Sequence, residues 1–83
     1  MYIKYLGNIH NLKRYDSINK AKSNVKCIGL HKDDSYISLE FYNEEARDFI
    51  LDQIWSYIKE GEKFFDIDEV NTTFYEANKY KLV

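Results

Sequence analysis

Residues 36–61 read YISLEFYNEEARDFILDQIWSYIKEG, a short alternating segment followed directly by a segment of longer period. In the first segment Ile37, Leu39 and Phe41 fall on one face, and serine, glutamate and tyrosine side chains fall on the other. This alternation predicts a strand over residues 36–42, in a sheet with one packed face and one face in water.

The second segment predicts an amphipathic helix from about Glu44 to Glu60. Asn43 is suited to accept from free N–H groups of the first turn, and Gly61 suits the left-handed conformation that closes a helix. The apolar residues recur at spacings of three and four: Ala46, Phe49, Ile50, Ile54, Tyr57 and Ile58. Leu51 and Trp55 lie beside this stripe and widen the apolar face, so we expect another apolar side chain to pack over them. Phe74 or Tyr75 is suited to this role.

Further strands are predicted before the helix. Residues 2–6 and 9–12 are rich in β-formers and flank Gly7-Asn8, which indicates a tight hairpin. Residues 25–30 form another strand candidate, and the polar residues 19–24 before them indicate a turn or bulge.

The part after the helix allows two interpretations. Residues 63–67 favour a strand. Residues 72–75 have β character and could pair with 80–83, but a short helix over Asp68 to Asn78 is the alternative. Since strands come first and the helix later, the sequence predicts an α+β fold in a single domain, 1–83. We expect an antiparallel sheet of about four strands packed by one long helix, with a short C-terminal strand pair or helix.

The order of strands and packing helix, with the Asn43-Glu44-Glu45-Ala46 start and the Gly61 end, resembles small uncharacterised bacterial and phage proteins. In outline it is also similar to pleckstrin-homology-like domains, which end in such a helix. The resemblance covers roughly residues 1–67. It implies a binding role and assigns no functional residue.

Composition limits where the protein works. The chain has 83 residues and one cysteine, so an internal disulfide is impossible and a reducing cytoplasm is expected. Its apolar runs fall far short of the roughly 18 residues that a membrane span needs. No secretory signal pattern is present, so we expect a cytoplasmic protein that does not bind membranes.

Catalytic and metal-binding patterns are weak. His10 and His31 are the two histidines, and with Cys27 they supply too few ligands for a zinc site. The carboxylates of Asp66, Asp68 and Glu69 are dense enough to consider Mg²⁺ or Ca²⁺, but a solvated turn is the simpler interpretation. Three glycines cannot build a phosphate-binding loop. We therefore expect no enzyme activity, cofactor, metal or small-molecule substrate.

The charge distribution points to binding. Residues 1–32 hold seven bases and one acid, a net charge of +6, whereas residues 33–83 hold five bases and thirteen acids, a net charge of −8. An acidic helix face could bind a basic partner, or the basic sheet edge of a second copy in a homo-oligomer. The predicted partner-binding residues are Tyr36, Tyr42, Glu44, Glu45, Asp48, Asp52, Trp55 and Tyr75.

Single-stranded nucleic acid is the alternative partner. Lys4-Tyr5 and Lys13-Arg14-Tyr15 interleave basic and aromatic residues, as do sheets on which bases stack within a basic rim. The predicted contacts in that case are Lys4, Tyr5, Lys13, Arg14 and Tyr15.

Overall fold

The computed structural model describes residues 1–78, which form six strands and two helices. Their bounds are β1 Tyr2–Tyr5, β2 Asn8–Asn11, β3 Ser17–Lys20, β4 Cys27–Lys32, β5 Ser35–Glu40, α1 Glu44–Lys59, β6 Phe64–Asp66 and α2 Ile67–Asn78. The α+β class is confirmed.

The strands are divided between two sheets of three strands. The N-terminal sheet has the order β2-β1-β6, in which β1 is antiparallel to β2 and parallel to β6. The central sheet has the order β3-β4-β5 and is antiparallel throughout. The predicted single sheet of about four strands is therefore wrong. After β2 the chain enters a 3-10 turn at Leu12–Arg14, capped by the Asn11 side chain, and starts a new sheet instead of adding to the first.

The long helix α1 lies across the central sheet as predicted, and its observed end is one residue from the predicted one. Asn43 Oδ1 accepts from the Ala46 N–H at 2.8 Å, and Gly61 at φ 75° closes the last turn. One buried hydrophobic cluster joins the sheet to the helix through Ile28, Leu30, Leu39, Ala46, Ile50 and Ile54. The amphipathic stripe thus packs against the predicted face of the strands.

The segment after β6 is helical, so the predicted strand at 72–75 is wrong. The alternative, a short helix up to Asn78, is confirmed. Asp66 Oδ1 accepts from the Glu69 N–H at 3.0 Å, which caps the first turn of α2. Phe74 then stacks on Phe49 of α1 with ring centres 4.7 Å apart, so tertiary packing overrides local β propensity. The predicted partner strand at 80–83 lies outside the described residues.

The hairpin between β1 and β2 turns at Leu6 and Gly7, one residue earlier than predicted, and both residues have positive φ. Asp68 holds this turn, since its carboxylate accepts from the Leu6 N–H at 2.6 Å and the Gly7 N–H at 3.0 Å. Asp66 and Asp68 therefore cap a helix and fix a turn, and the interpretation of this segment as a solvated turn is wrong.

Tyr5 joins the two sheets. Its hydroxyl donates to the Glu40 carbonyl at 2.7 Å and accepts from the Glu40 N–H at 2.8 Å. Both backbone groups belong to the edge of β5 that faces away from β4. Burial raises the pKa of Tyr5; the hydrogen bond with the Glu40 backbone opposes this, and nearby negative charge adds to it.

Replacing Tyr5 with phenylalanine is expected to lower the free energy of unfolding by about 1–2 kcal/mol, because two hydrogen bonds between the sheets are lost. Since the folded pKa is raised, the contribution of Tyr5 is complete below its ordinary value of 10.0 and is lost as pH rises through the folded pKa. Urea unfolding of both proteins between neutral and alkaline pH measures the difference.

Tyr2→Phe is the control, because Tyr2 lies on the same strand and is half exposed. If Tyr5→Phe were as stable as this control at neutral pH, the hydroxyl would contribute nothing to joining the sheets.

Candidate interaction site along strand β3

Strand β3 is an edge of the central sheet, since within residues 1–78 it pairs with β4 alone. The Ala21 N–H donates to the Cys27 carbonyl at 3.1 Å. Because bonded and non-bonded pairs alternate in an antiparallel ladder, Ser17 and Asn19 direct their backbone groups to β4. Ile18 and Lys20 direct theirs to the open edge.

A groove of about 870 Å³ follows this edge and is lined by aromatic residues from both sides of the sheet. Ile18 pairs with the buried Leu30, so it faces α1, where Leu51 and Trp55 line the groove. His31 and Tyr36 face the opposite side of the sheet, with ring centres 4.8 Å apart. Trp55 is 43% exposed and Tyr36 is 48% exposed.

Gly29 provides the space in which the Tyr36 ring lies. A β-carbon at Gly29 would lie 2.8 Å from Tyr36 Cε2 and 3.1 Å from His31 Nε2. The ring therefore extends across β4 toward β3 instead of standing away from the sheet. Sequence reasoning missed this role, although a glycine inside a strand is a signal of close approach.

The fold brings bases of the N-terminal segment, residues 1–32, into contact with acids of the segment that follows it. Lys20 Nζ lies 3.4 Å from Asp48 Oδ1, and Lys4 Nζ lies 3.9 Å from Asp66 Oδ2. Arg47, only 4% exposed, donates from Nε to Asp48 Oδ1 at 2.6 Å and from Nη1 to the Cys27 carbonyl at 3.1 Å. Opposite charges thus neutralise one another at these contacts.

Asp48 is stabilised as a carboxylate by this arrangement. Desolvation raises its pKa, but the hydrogen bond and charge of Arg47 and the charge of Lys20 outweigh that effect, so the pKa of Asp48 lies below its ordinary value. Asp48 is therefore engaged within the chain, whereas Glu44, Glu45 and Asp52 are exposed.

The predicted partner-binding residues do not form one site. Tyr36 and Trp55 share the groove along β3. Tyr42 and Tyr75 contact each other in a separate cleft between the start of α1 and α2, with ring centres 5.2 Å apart. The predicted cover of Leu51 and Trp55 by Phe74 or Tyr75 is wrong, because those two rings pack on Phe49 and Tyr42 instead.

Three of the five residues predicted for nucleic-acid contact are engaged in the fold. Tyr5 bonds Glu40, Tyr15 packs against the hydrophobic cluster, and Lys4 lies near Asp66. Lys13 and Arg14 are exposed in the 3-10 turn. The two tyrosines that would stack on bases are half-buried.

Three further features of residues 1–78 concern the cysteine, the potential metal ligands and the helices. Cys27 is a buried free thiol. No group of three or more histidine, cysteine or carboxylate side chains among residues 1–78 is placed to hold a metal ion. None of the described helices has the length and apolar character that crossing a membrane requires.

Comparison with known proteins adds no assignment: no family model, no curated protein and no solved structure matches this chain. The resemblance in outline to pleckstrin-homology-like domains and to small phage proteins stays a prediction.

Proposed function

We propose that this chain is a non-enzymatic protein-binding module that takes up an extended segment of another protein along β3. The observation that carries the proposal is a strand edge that no segment of residues 1–78 pairs with, and that has Trp55 on one side and Tyr36 on the other. An added strand would bond the outward backbone groups of Ile18 and Lys20, as in other cases of strand addition.

The aromatic side chains provide selectivity for the sequence of the bound segment, which backbone hydrogen bonds do not provide. Successive side chains of an added strand point to opposite faces, so alternate residues would contact Trp55 and Tyr36. Tryptophan and tyrosine are enriched among residues that dominate binding energy, because each offers a large rigid surface. Backbone bonding would therefore hold the segment, and the two rings would select its side chains.

A different protein is a better occupant than a second copy of the chain. Lys20 and Lys22 line the groove, and pairing two β3 edges would bring these lysines from both copies to one interface. Lysine on an edge strand opposes such pairing. The opposite edge of the sheet is occupied by the Tyr5 hydroxyl at Glu40.

The test compares Lys20→Pro with Lys20→Ala. Proline removes the outward N–H and places its ring at the open edge, while the bonds between β3 and β4 are kept. Alanine removes the same side chain and keeps the N–H. With extended peptides enriched from a random display library on the natural protein, we expect Lys20→Pro to weaken binding by tenfold or more (roughly 1.4 kcal/mol) and Lys20→Ala by less than about threefold.

Equal binding by the two variants at unchanged folding would overturn the proposal. So would a dimer in analytical ultracentrifugation that Lys20→Pro dissociates, because the edge would then serve self-association. If a single-stranded oligonucleotide shifted the Ile18 and Lys20 amide resonances and peptides did not, the result would favour the nucleic-acid alternative.

A further inference from the structure

We infer that the segment bound along β3 is acidic and carries an acidic residue two positions before an apolar one. The inference rests on the proposed function and specifies the chemistry of the partner. It follows from the register of β3 and from the charges that line the groove.

The register decides which side chains meet. Residues opposite each other in a strand pair have side chains on the same face. The partner residue opposite Ile18 therefore lies on the α1 face, beside Trp55, where an apolar side chain is favoured. The residue opposite Lys20 lies two positions away on the same face and meets the ammonium group.

The charges of the groove favour an acid at that position. Lys20 and Lys22 line it, and none of its lining residues in the described chain is acidic. Asp16 lines the adjoining cleft beside Ile18 and Trp55, where its carboxylate accepts from the Asp33 N–H. The Lys20 side chain is 60% exposed although Asp48 lies 3.4 Å away. Asp48 Oδ1 also accepts from Arg47, and an ammonium has three donors, so Lys20 keeps donors for a second carboxylate.

The direction of the segment sets the order of the two residues. Antiparallel pairing is slightly more stable per residue than parallel pairing. In an antiparallel segment the residue opposite Lys20 precedes the residue opposite Ile18. The expected order from the N-terminus is therefore acidic, any residue, apolar.

The test uses the full chain and blocked peptides built on Thr-Thr-Glu-Thr-Ile-Thr-Thr. Three companions carry glutamine or lysine in place of glutamate, or have glutamate and isoleucine exchanged. Amide chemical shifts of Ile18 and Lys20 locate binding, and Trp55 fluorescence measures it. We expect the glutamate peptide to bind about threefold more tightly than the glutamine peptide at low salt, with the lysine peptide weakest.

Charge variants of the chain provide the control. The preference for glutamate should disappear in the double variant Lys20→Gln, Lys22→Gln and persist in Lys32→Gln, whose lysine is exposed at the far end of β4.

The possible outcomes separate the two proposals. Equal binding of all peptides at β3 would overturn the acidic preference and leave strand addition intact. Tighter binding of the exchanged peptide would overturn the antiparallel order. If none shifted Ile18 or Lys20, both the inference and the proposed function would fail.

Discussion

Replacing Phe65 with alanine is expected to lower the free energy of unfolding by about 3–5 kcal/mol, the usual range for removing a buried phenylalanine. Phe65 is 1% exposed and is the middle residue of β6. It pairs with Ile3 of β1, which is fully buried, and its ring meets Tyr57 of α1 edge to face at 4.5 Å. One side chain thus connects the N-terminal sheet to the long helix, and its removal leaves a cavity between them.

Urea unfolding followed by circular dichroism measures this loss, with Phe64→Ala as the matched control. Phe64 is the preceding residue of the same strand and is 47% exposed, so its replacement should cost less than about 1 kcal/mol. Because a small domain has a total stability of only about 5 kcal/mol or somewhat more, Phe65→Ala could unfold the chain. Phe65→Leu keeps a measurable transition and should cost less. Equal losses at positions 64 and 65 would show that Phe65 does not connect the two parts.

The elements that the sequence predicted correctly are those whose pattern is local. The strand β5 and the helix α1 have a clear period, although β5 ends at Glu40, two residues before the predicted limit. The Asn43 cap and Gly61 mark the limits of the helix. Each pattern is set by one packed face. No contact with a distant segment is needed to recognise it.

The elements that were missed depend on distant contacts. Strand β3 was missed because Asn19 and Lys20 are polar. An edge strand is mostly exposed, so packing does not require apolar side chains at these positions. Helix α2 forms over a segment of β character because Asp66 caps it and Phe49 receives Phe74. The parallel pairing of β6 with β1 joins residues about sixty positions apart, which no local period reports.

The candidate site was predicted by residue type but not by arrangement. Tyr36 and Trp55 were recognised as aromatic residues suited to a binding surface. That they line one groove depends on the register between β4 and β5, on the space at Gly29 and on the placement of α1 over β3. The register and the space at Gly29 are properties of the assembled sheet, so the local sequence pattern does not report them.

Replacing Arg47 with alanine is expected to lower the free energy of unfolding by about 2–4 kcal/mol, through lost charge-assisted hydrogen bonds and lost packing of the side chain. Arg47 is buried and bonds both the Cys27 carbonyl of β4 and Asp48. Replacing Arg47 removes the cation closer to the Asp48 carboxylate and leaves Lys20, 3.4 Å away, as its cationic neighbour. Arg47→Met keeps most of the aliphatic packing and should cost about half as much, so the two variants separate packing from hydrogen bonding.

The pH dependence of the free energy of unfolding identifies the part of the Arg47 contribution that acts through Asp48. Because the folded pKa of Asp48 is depressed, its contribution to stability is present above its ordinary value of 3.8 and is lost as pH falls through the folded pKa. Without Arg47 this depression shrinks, so stability should fall less between neutral pH and about pH 3 in Arg47→Met than in the natural protein. Asp48→Asn should reduce the acid dependence in the same way, whereas Lys59→Met, at an exposed position of the same helix, should leave it unchanged. An identical acid dependence in Arg47→Met and the natural protein would mean that the buried guanidinium joins α1 to the sheet through the Cys27 carbonyl alone.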